Sequence, residues 1–306
     1  MASSGESKFI LDPTKNQIVI VAGRRAERPR LTSAKKDEKP ACPFCPGNEF
    51  MTPPTRFALP NAKAWKTRVF ENAFPALKPK GKFSKIPGPG FGEHEVIVET
   101  PKEGGLFQDF GEEQLKIVFR TYVETVKRLE KRKGVKNVFL IKNHGLAGGA
   151  SIPHEHAQVF ALPFVPPLVE TENSFFNSFK RKTGKCFYCS LVKSQPKLWE
   201  NSFASVIAPE FARFGFELWV IPKKHCAGLK ELSEKEGVLL LKAVQECVRR
   251  TYGIVQAYNF VFHETGHLHV EFYPRKSVWA GLELGSGVVI NSRTQKDVLA
   301  QLKKAP

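Results

Sequence analysis

The sequence predicts an α+β fold built twice, each half an antiparallel sheet with one main helix. Three observations predict it. Short segments of the first half recur in the second in the same order, each half carries one long amphipathic stretch, and each closes on a strand that opens with His-x-His.

Taken in order, "CPFC" (Cys42, Cys45) returns as "CFYC" (Cys186, Cys189), and "VFENAFPAL" (69–77) as "LWENSFASV" (198–206). "EHEVIVETPKE" (93–103) is echoed by "GFELWVIPKKH" (215–225), a strand running into a turn. A helix follows in each half. Leu115, Val118, Phe119, Tyr122, Val123, Val126 and Leu129 hold one face at three- and four-residue intervals, as do Leu240, Leu241, Val244, Cys247 and Val248. Asp109 with Glu112, and Ser233 with Glu236, have capping-box spacing ahead of these helices. The strands "VKNVFLIKN" (135–143) and "YNFVFHE" (258–264) come next, then "HEHAQVFALP" (154–163) and "HLHVEFYPR" (267–275). The prolines and polar residues of 164–185 interrupt the pattern and mark the divider, giving halves of 1–168 and 169–306.

A chain of 306 residues can bury a sizeable core as one large domain or two ordinary ones. No apolar run reaches spanning length, and "MASSGESKFILDPTKN" lacks the pattern of a secretory signal, so a cytoplasmic location and no membrane partner are expected. The formal charge of +17 favours anionic partners: nucleic acid, an acidic surface or phosphorylated small molecules. The cations are spread along the chain as a general field, and a solvated lysine-rich surface explains most of them equally well.

In a chain without a secretion signal, paired C-x-x-C turns favour metal or redox use over structural disulfides. Each turn supplies two thiolates to zinc, which then needs two further ligands. His154 and His267, opening the His-x-His strands, are natural third ligands. Placing Glu95–Val98 on Glu217–Val220 sets Glu103 opposite His225, so the expected sites are Cys42/Cys45/Glu103/His154 and Cys186/Cys189/His225/His267. His94 and His144 are rival ligands in the first half, and His263 in the second. Sites with four protein ligands are closed, which assigns the zinc to structure.

That leaves His156 on the strand face of His154, roughly 7 Å further along. A neutral imidazole can attack phosphorus, the Gln158 amide can donate to a phosphoryl oxygen, and "GGAS" can turn backbone amides and the Ser151 hydroxyl toward an anion. The set fits phosphoryl or nucleotidyl transfer. In the second half Glu271 stands where Gln158 stands in the first. A carboxylate repels phosphate, so that half is expected to be silent.

The pattern N-x-G-x-x-x-G-x-S-x-P-H-x-H-x-Q over 143–158 resembles the active-site strand of galactose-1-phosphate uridylyltransferases, a two-repeat branch of the histidine-triad superfamily. "RRAERP" (24–29) resembles the family's nucleotide-contacting Arg-x-x-Arg-Pro, "CPFCPGNE" its cysteine turn, and "GLELGSGVVIN" its C-terminal strand. The resemblance implies a duplicated histidine-triad-like fold and ping-pong transfer of UMP from a UDP-sugar to a sugar 1-phosphate. In that scheme His156 is the nucleophile, Gln158 holds the phosphoryl oxygens and Ser151 the distal phosphate. Asn143 positions the strand or phosphate, and Arg25, Arg28 and Asn72 contact the nucleotide. Family members are often homodimers. Three departures stand out: Glu103 where the family commonly has a histidine ligand, Glu155 for the proline between the histidines, and Ala73 where many members have an acidic residue. The last weakens the case for uridine. A phosphorylase of the same fold, taking ADP-glucose or a dinucleoside polyphosphate with phosphate as acceptor, is the alternative. A non-catalytic, basic, zinc-stabilised nucleic-acid-binding protein is the rival from another class, and the intact His156/Gln158/Ser151 set argues against it.

Overall fold

The computed structural model describes residues 7–15, 17–22, 25, 41–79, 83 and 85–305. They form two compact units. One comprises the described residues of Met1–Gly105, Arg120–Ile141 and Ser151–Glu172, the other those of Leu106–Phe119, Lys142–Ala150 and Asn173–Pro306.

The first unit opens with a small antiparallel sheet in which β1 (Lys8–Asp12) lies between β2 (Gln17–Val21) and β5 (Gly88–Pro89). Its main sheet runs antiparallel in the order β3 (Thr55–Leu59), β4 (Thr67–Glu71), β6 (Glu93–Val98) and β8 (His156–Leu162). Helix α1 (Glu112–Glu130) and strand β7 (Asn137–His144) connect β6 to β8 in sequence. Alternation along the strands separates two faces. Register pairs Val96 with Gln158, Val98 with His156 and His94 with Phe160, so these residues share one face. The other face carries Thr67, Glu95, Ile97, Ala157 and Val159 and receives α1: Thr67 and Thr121 hydroxyls lie 2.6 Å apart, Arg128 pairs with Glu95, and Tyr122 donates to Glu99. Tyr122, Val126 and Leu129 are buried on the helix, as their spacing predicts.

The second unit repeats the plan. After α2 (Pro167–Thr183) and α3 (Phe187–Ser194) come β9 (Lys197–Glu200), β10 (Ala204–Ile207) and β11 (Leu218–Pro222), then α4 (Glu234–Tyr252), β12 (Tyr258–Glu264) and β13 (Leu268–Pro274). The sheet order is β12-β13-β11-β10-β9, antiparallel throughout. Short helices α5 (Gly281–Ser286) and α6 (Gln295–Leu302) close the chain. Among the described residues, no helix is long and apolar enough to cross a membrane.

The structure corrects three sequence expectations about local form. The supposed divider is mostly helix α2: Pro167 sits at its first position, where its missing N–H costs nothing, and Phe176 is buried one face round from the polar residues. Ser233 and Glu236 do form a capping box, but Asp109 closes a 3₁₀ turn and Gly111 precedes the first turn of α1. "GLELGSGVVIN" is the helix α5 followed by irregular chain, because the Glu283 carboxylate caps the Ala280 amide and Gly287 ends the helix in the left-handed conformation.

Candidate active site and metal centres

The first C-x-x-C turn is closed by the Cys45 amide on the Cys42 carbonyl (3.2 Å) and by the Asn48 side chain on the same oxygen (2.9 Å). It places both thiols against one ring nitrogen: His154 Nδ1 is 3.5 Å from Cys42 Sγ and 3.7 Å from Cys45 Sγ. The other nitrogen, Nε2, donates to the Thr100 carbonyl at 2.7 Å, which fixes the tautomer with the Nδ1 lone pair toward the thiols. Glu103 Oε2 stands 3.7 Å from Cys45 Sγ, set wider than the other three donors. His94 and His144 are not ligands here. The first bonds Gln158, and the second stacks on Tyr258 at 4.8 Å.

In the second unit Cys186, Cys189, His225 and His267 converge, as their spacing predicts. His267 Nδ1 lies 3.3 Å from Cys186 Sγ, 3.5 Å from Cys189 Sγ and 3.2 Å from His225 Nδ1. His225 Nδ1 is 3.7 Å from Cys189 Sγ. Tetrahedral zinc, at about 2.3 Å from sulfur and 2.0–2.1 Å from nitrogen, needs ligand atoms about 3.3–3.8 Å apart. The donors therefore fit that ion in number, type and spacing. His267 Nε2 donates to the Pro222 carbonyl (3.2 Å), the same arrangement as His154. Burial and the neighbouring Cys186 thiol push Cys189 up to about 11, and burial with Cys42 and Glu103 pushes Cys45 up to about 12. Losing the second proton of each pair is therefore unfavourable on its own, and a bound cation would offset that cost.

On β8, His156 Nδ1 lies 2.7 Å from the His154 carbonyl oxygen. A carbonyl only accepts, so Nδ1 carries the proton and the lone pair is on Nε2. Phe44, from inside the cysteine turn, stands edge-on to the His156 ring at 5.2 Å and packs with Phe70, Val96 and Val98. Gln158 Oε1 lies 2.9 Å from His94 Nε2. Asn72 Nδ2 is 3.3 Å from that nitrogen, and Arg25 Nη1 bonds the Phe74 carbonyl (2.9 Å) and approaches His94 Nδ1 (3.4 Å). Arg25, Asn72 and Gln158 thus meet at His94, and Gln158 shares its strand face with His156. Ser151 is buried in the loop before β8. Arg28 lies outside the described residues.

In the second unit, Asn143 Oδ1 accepts from Asn259 (2.7 Å), which also donates to the Gly148 carbonyl (2.7 Å), so the asparagine pair holds the glycine turn. The amides of Gly148, Gly149 and Ala150 close on carbonyls within that turn, at 2.9–3.1 Å. They are engaged there and do not form the anion nest expected of "GGAS". Sequence reasoning missed the place of His94, which it weighed solely as a ligand. Its partners are set by the register of β6 on β8, which the sequence does not carry.

Residues 7–166, just over half of the chain, match the galactose-1-phosphate uridyl transferase family through its N-terminal domain. The chain belongs to this family. It is 28% identical over 323 residues to an ADP-glucose phosphorylase of Arabidopsis thaliana, covering 96% of this chain and 91% of that protein. It is 27% identical over 324 residues to a galactose-1-phosphate uridylyltransferase of Thermotoga maritima, covering 96% of each. The crystal structure of the Arabidopsis phosphorylase with bound ADP-glucose superposes with a TM-score of 0.82 at 27% identity, over 98% of this chain and 99% of that one. The protein is accordingly a galactose-1-phosphate uridylyltransferase-like nucleotidyltransferase with a family fold, and its second unit repeats the architecture of its first.

Proposed function

We propose that the protein moves UMP from a UDP-hexose to a hexose 1-phosphate by ping-pong chemistry through a uridylyl-histidine on His156. The carrying observation is the bond from His156 Nδ1–H to the His154 carbonyl, which leaves Nε2 as the nucleophilic nitrogen. Nε2 attacks the α-phosphorus, the bond from that phosphorus to the sugar-phosphate oxygen breaks, and sugar 1-phosphate leaves. A phosphate oxygen of the second hexose 1-phosphate then attacks the same phosphorus, and the P–N bond breaks to restore the imidazole. Gln158 donates to the phosphoryl oxygens, Ser151 holds the distal phosphate, and Asn143 helps position the strand or phosphate. Arg25, Arg28 and Asn72 contact the nucleotide. Zinc occupies Cys42/Cys45/Glu103/His154 and Cys186/Cys189/His225/His267 in a structural role. Residues 1–168 form the catalytic half and 169–306 the silent one. Thiolate zinc sites suit the reducing cytoplasm, nucleotide sugars rather than nucleic acid or membranes are the partners, and the family resemblance favours a homodimer.

Two observations favour a second reading, an ADP-glucose or dinucleoside-polyphosphate phosphorylase with phosphate as acceptor. Ala73 follows Asn72 where many uridylyltransferases are acidic, and the Arabidopsis relative is named for that activity. Intact-mass measurement after incubation with UDP-glucose, ADP-glucose or a dinucleoside polyphosphate, without acceptor, separates them. A UMP-sized adduct lost in His156→Gly supports uridylyl transfer, and an AMP-sized adduct supports the phosphorylase. No adduct with any donor in zinc-loaded protein would turn the reading to a non-catalytic nucleic-acid-binding protein.

A further inference from the structure

The transfer scheme leaves His94 without a role, although this side chain is 1% exposed and touches three residues of the site. We infer that His94 is a positioning residue that decides which way the Gln158 amide faces, an inference that rests on the reading of His156 and Gln158 as the transfer site.

The Ala76 backbone N–H lies 3.1 Å from His94 Nδ1. A backbone amide can only donate, so Nδ1 is unprotonated, and Arg25 Nη1 at 3.4 Å adds a second donor to the same lone pair. A neutral ring accepting at Nδ1 carries its proton on Nε2, 2.9 Å from Gln158 Oε1. The Gln158 oxygen is therefore the atom turned to His94, and its NH₂ group is turned the other way, as the donor a phosphoryl oxygen needs. A flipped amide would set N–H against N–H and offer the phosphate a carbonyl oxygen, the fault that Glu271 builds into the second unit. Stacking on Phe160, at 4.1 Å and 19° between planes, keeps the His94 ring in plane for this bond. The 3.3 Å approach of Asn72 Nδ2 to Nε2 opposes it, because in this tautomer both atoms are donors. The opposite tautomer would relieve that contact but point Nδ1–H at the Ala76 amide, at the shorter distance of 3.1 Å.

Three variants in wild-type and Gln158→Ala backgrounds test the inference, read as the single-turnover rate of nucleotidyl-His156 formation. His94→Phe keeps the ring stack and loses both nitrogens, and it is expected to slow the step by about tenfold. His94→Gln, whose amide nitrogen can reach the Nε2 position, is expected to recover most of that loss. His94→Asn, which replaces only the acceptor, is expected to recover little. In Gln158→Ala the Phe substitution should have no further effect, since residues acting through one another are not additive. An equal slowing by His94→Phe in both backgrounds overturns the inference. Long-range ¹⁵N spectra of the histidines give a readout independent of turnover. An Nε2–H tautomer at His94 that is perturbed by Gln158→Ala supports the inference, and an Nδ1–H tautomer overturns it. Absence of any adduct on wild type would sink the transfer reading alone, since the tautomer is still read in that protein.

Discussion

The guanidinium of Arg213 lies 2.8 Å from the carboxylate of Glu271, the residue that stands in the second His-x-His strand where Gln158 stands in the first. Arg213 also reaches the Tyr273 hydroxyl at 2.7 Å, and Tyr273 donates to Glu271. Burial alone would raise the Glu271 carboxyl, yet His269, His263 and Tyr273 together hold it down at about 2. A permanent carboxylate therefore faces His269 Nε2 at 3.5 Å, and Tyr188 stacks over the same ring at 4.3 Å. Peptide mapping of the nucleotidylated protein should find the adduct on His156 and none on His269. Glu271→Gln should lower stability by about 1–3 kcal/mol, the half-exposed Arg213 tempering the cost of a broken buried pair. An unchanged urea midpoint would show that the pair holds nothing in place.

Gly266 turns the chain into His267 with φ +76°, and a Cβ there would sit 2.4 Å from the Phe176 ring. Both the backbone conformation and the space thus require glycine. Gly266→Ala should destabilise the protein by about 1–3 kcal/mol and displace His267, a candidate metal ligand, with it. Denaturant titration together with cobalt absorbance at the second cysteine site checks this, and a variant with native stability and spectrum would refute it.

Much of this architecture was legible because it is written twice. The spacing of Leu115 to Leu129 and of Leu240 to Val248 follows a helical period, and the C-x-x-C and His-x-His segments recur in one order, so helices, strands and the convergence of each cysteine pair with its histidines could be placed. The helix α2 was not legible, since Pro166 and Pro167 read as a break and its few apolar residues are diluted by Asn, Ser and Lys. The role of His94 depends on strand register: nothing in "GEHEVIV" says that this histidine faces Phe160 on the neighbouring strand. The glycine turn misled for a similar reason, as its amides close on carbonyls only three to five residues away and local composition cannot tell that from an open nest.

Glu200 gives a pH test. Hydrogen bonds from Lys223 and then Lys197, at 2.8 and 3.2 Å, hold its exposed carboxyl down at about 2. A carboxylate with a depressed folded value stabilises the native state above its unfolded value of about 4.3, and that contribution fades as pH falls toward 2. The urea-midpoint gap between wild type and Glu200→Gln should therefore be largest near neutrality, shrink from pH 5 to pH 2.5, and narrow in high salt. A gap independent of pH would remove this ion pair from the account.

The two candidate metal centres should differ in strength. The second gathers two thiols and two imidazoles at spacings that suit tetrahedral zinc, whereas the first gathers two thiols and one imidazole with a carboxylate set to the side. A carboxylate oxygen is a harder donor than imidazole, so beside two soft thiolates it binds this ion less well. Purified protein should hold two zinc ions per chain, and a rising chelator concentration should remove the ion at Cys42/Cys45 first. Cys189→Ala should lose one ion and lower the melting temperature by about 5 °C, because ligands joined by metal stabilise the folded chain against the unfolded one. Glu103→Ala should weaken retention at the first centre and leave the second unchanged, while Glu103→His should strengthen it, provided the side chain reaches the position its carboxylate now approaches. Metal analysis of these variants across a chelator series decides the matter: if Glu103→Ala keeps both ions as tightly as wild type, then Glu103 is no ligand and the first centre takes its fourth donor from elsewhere.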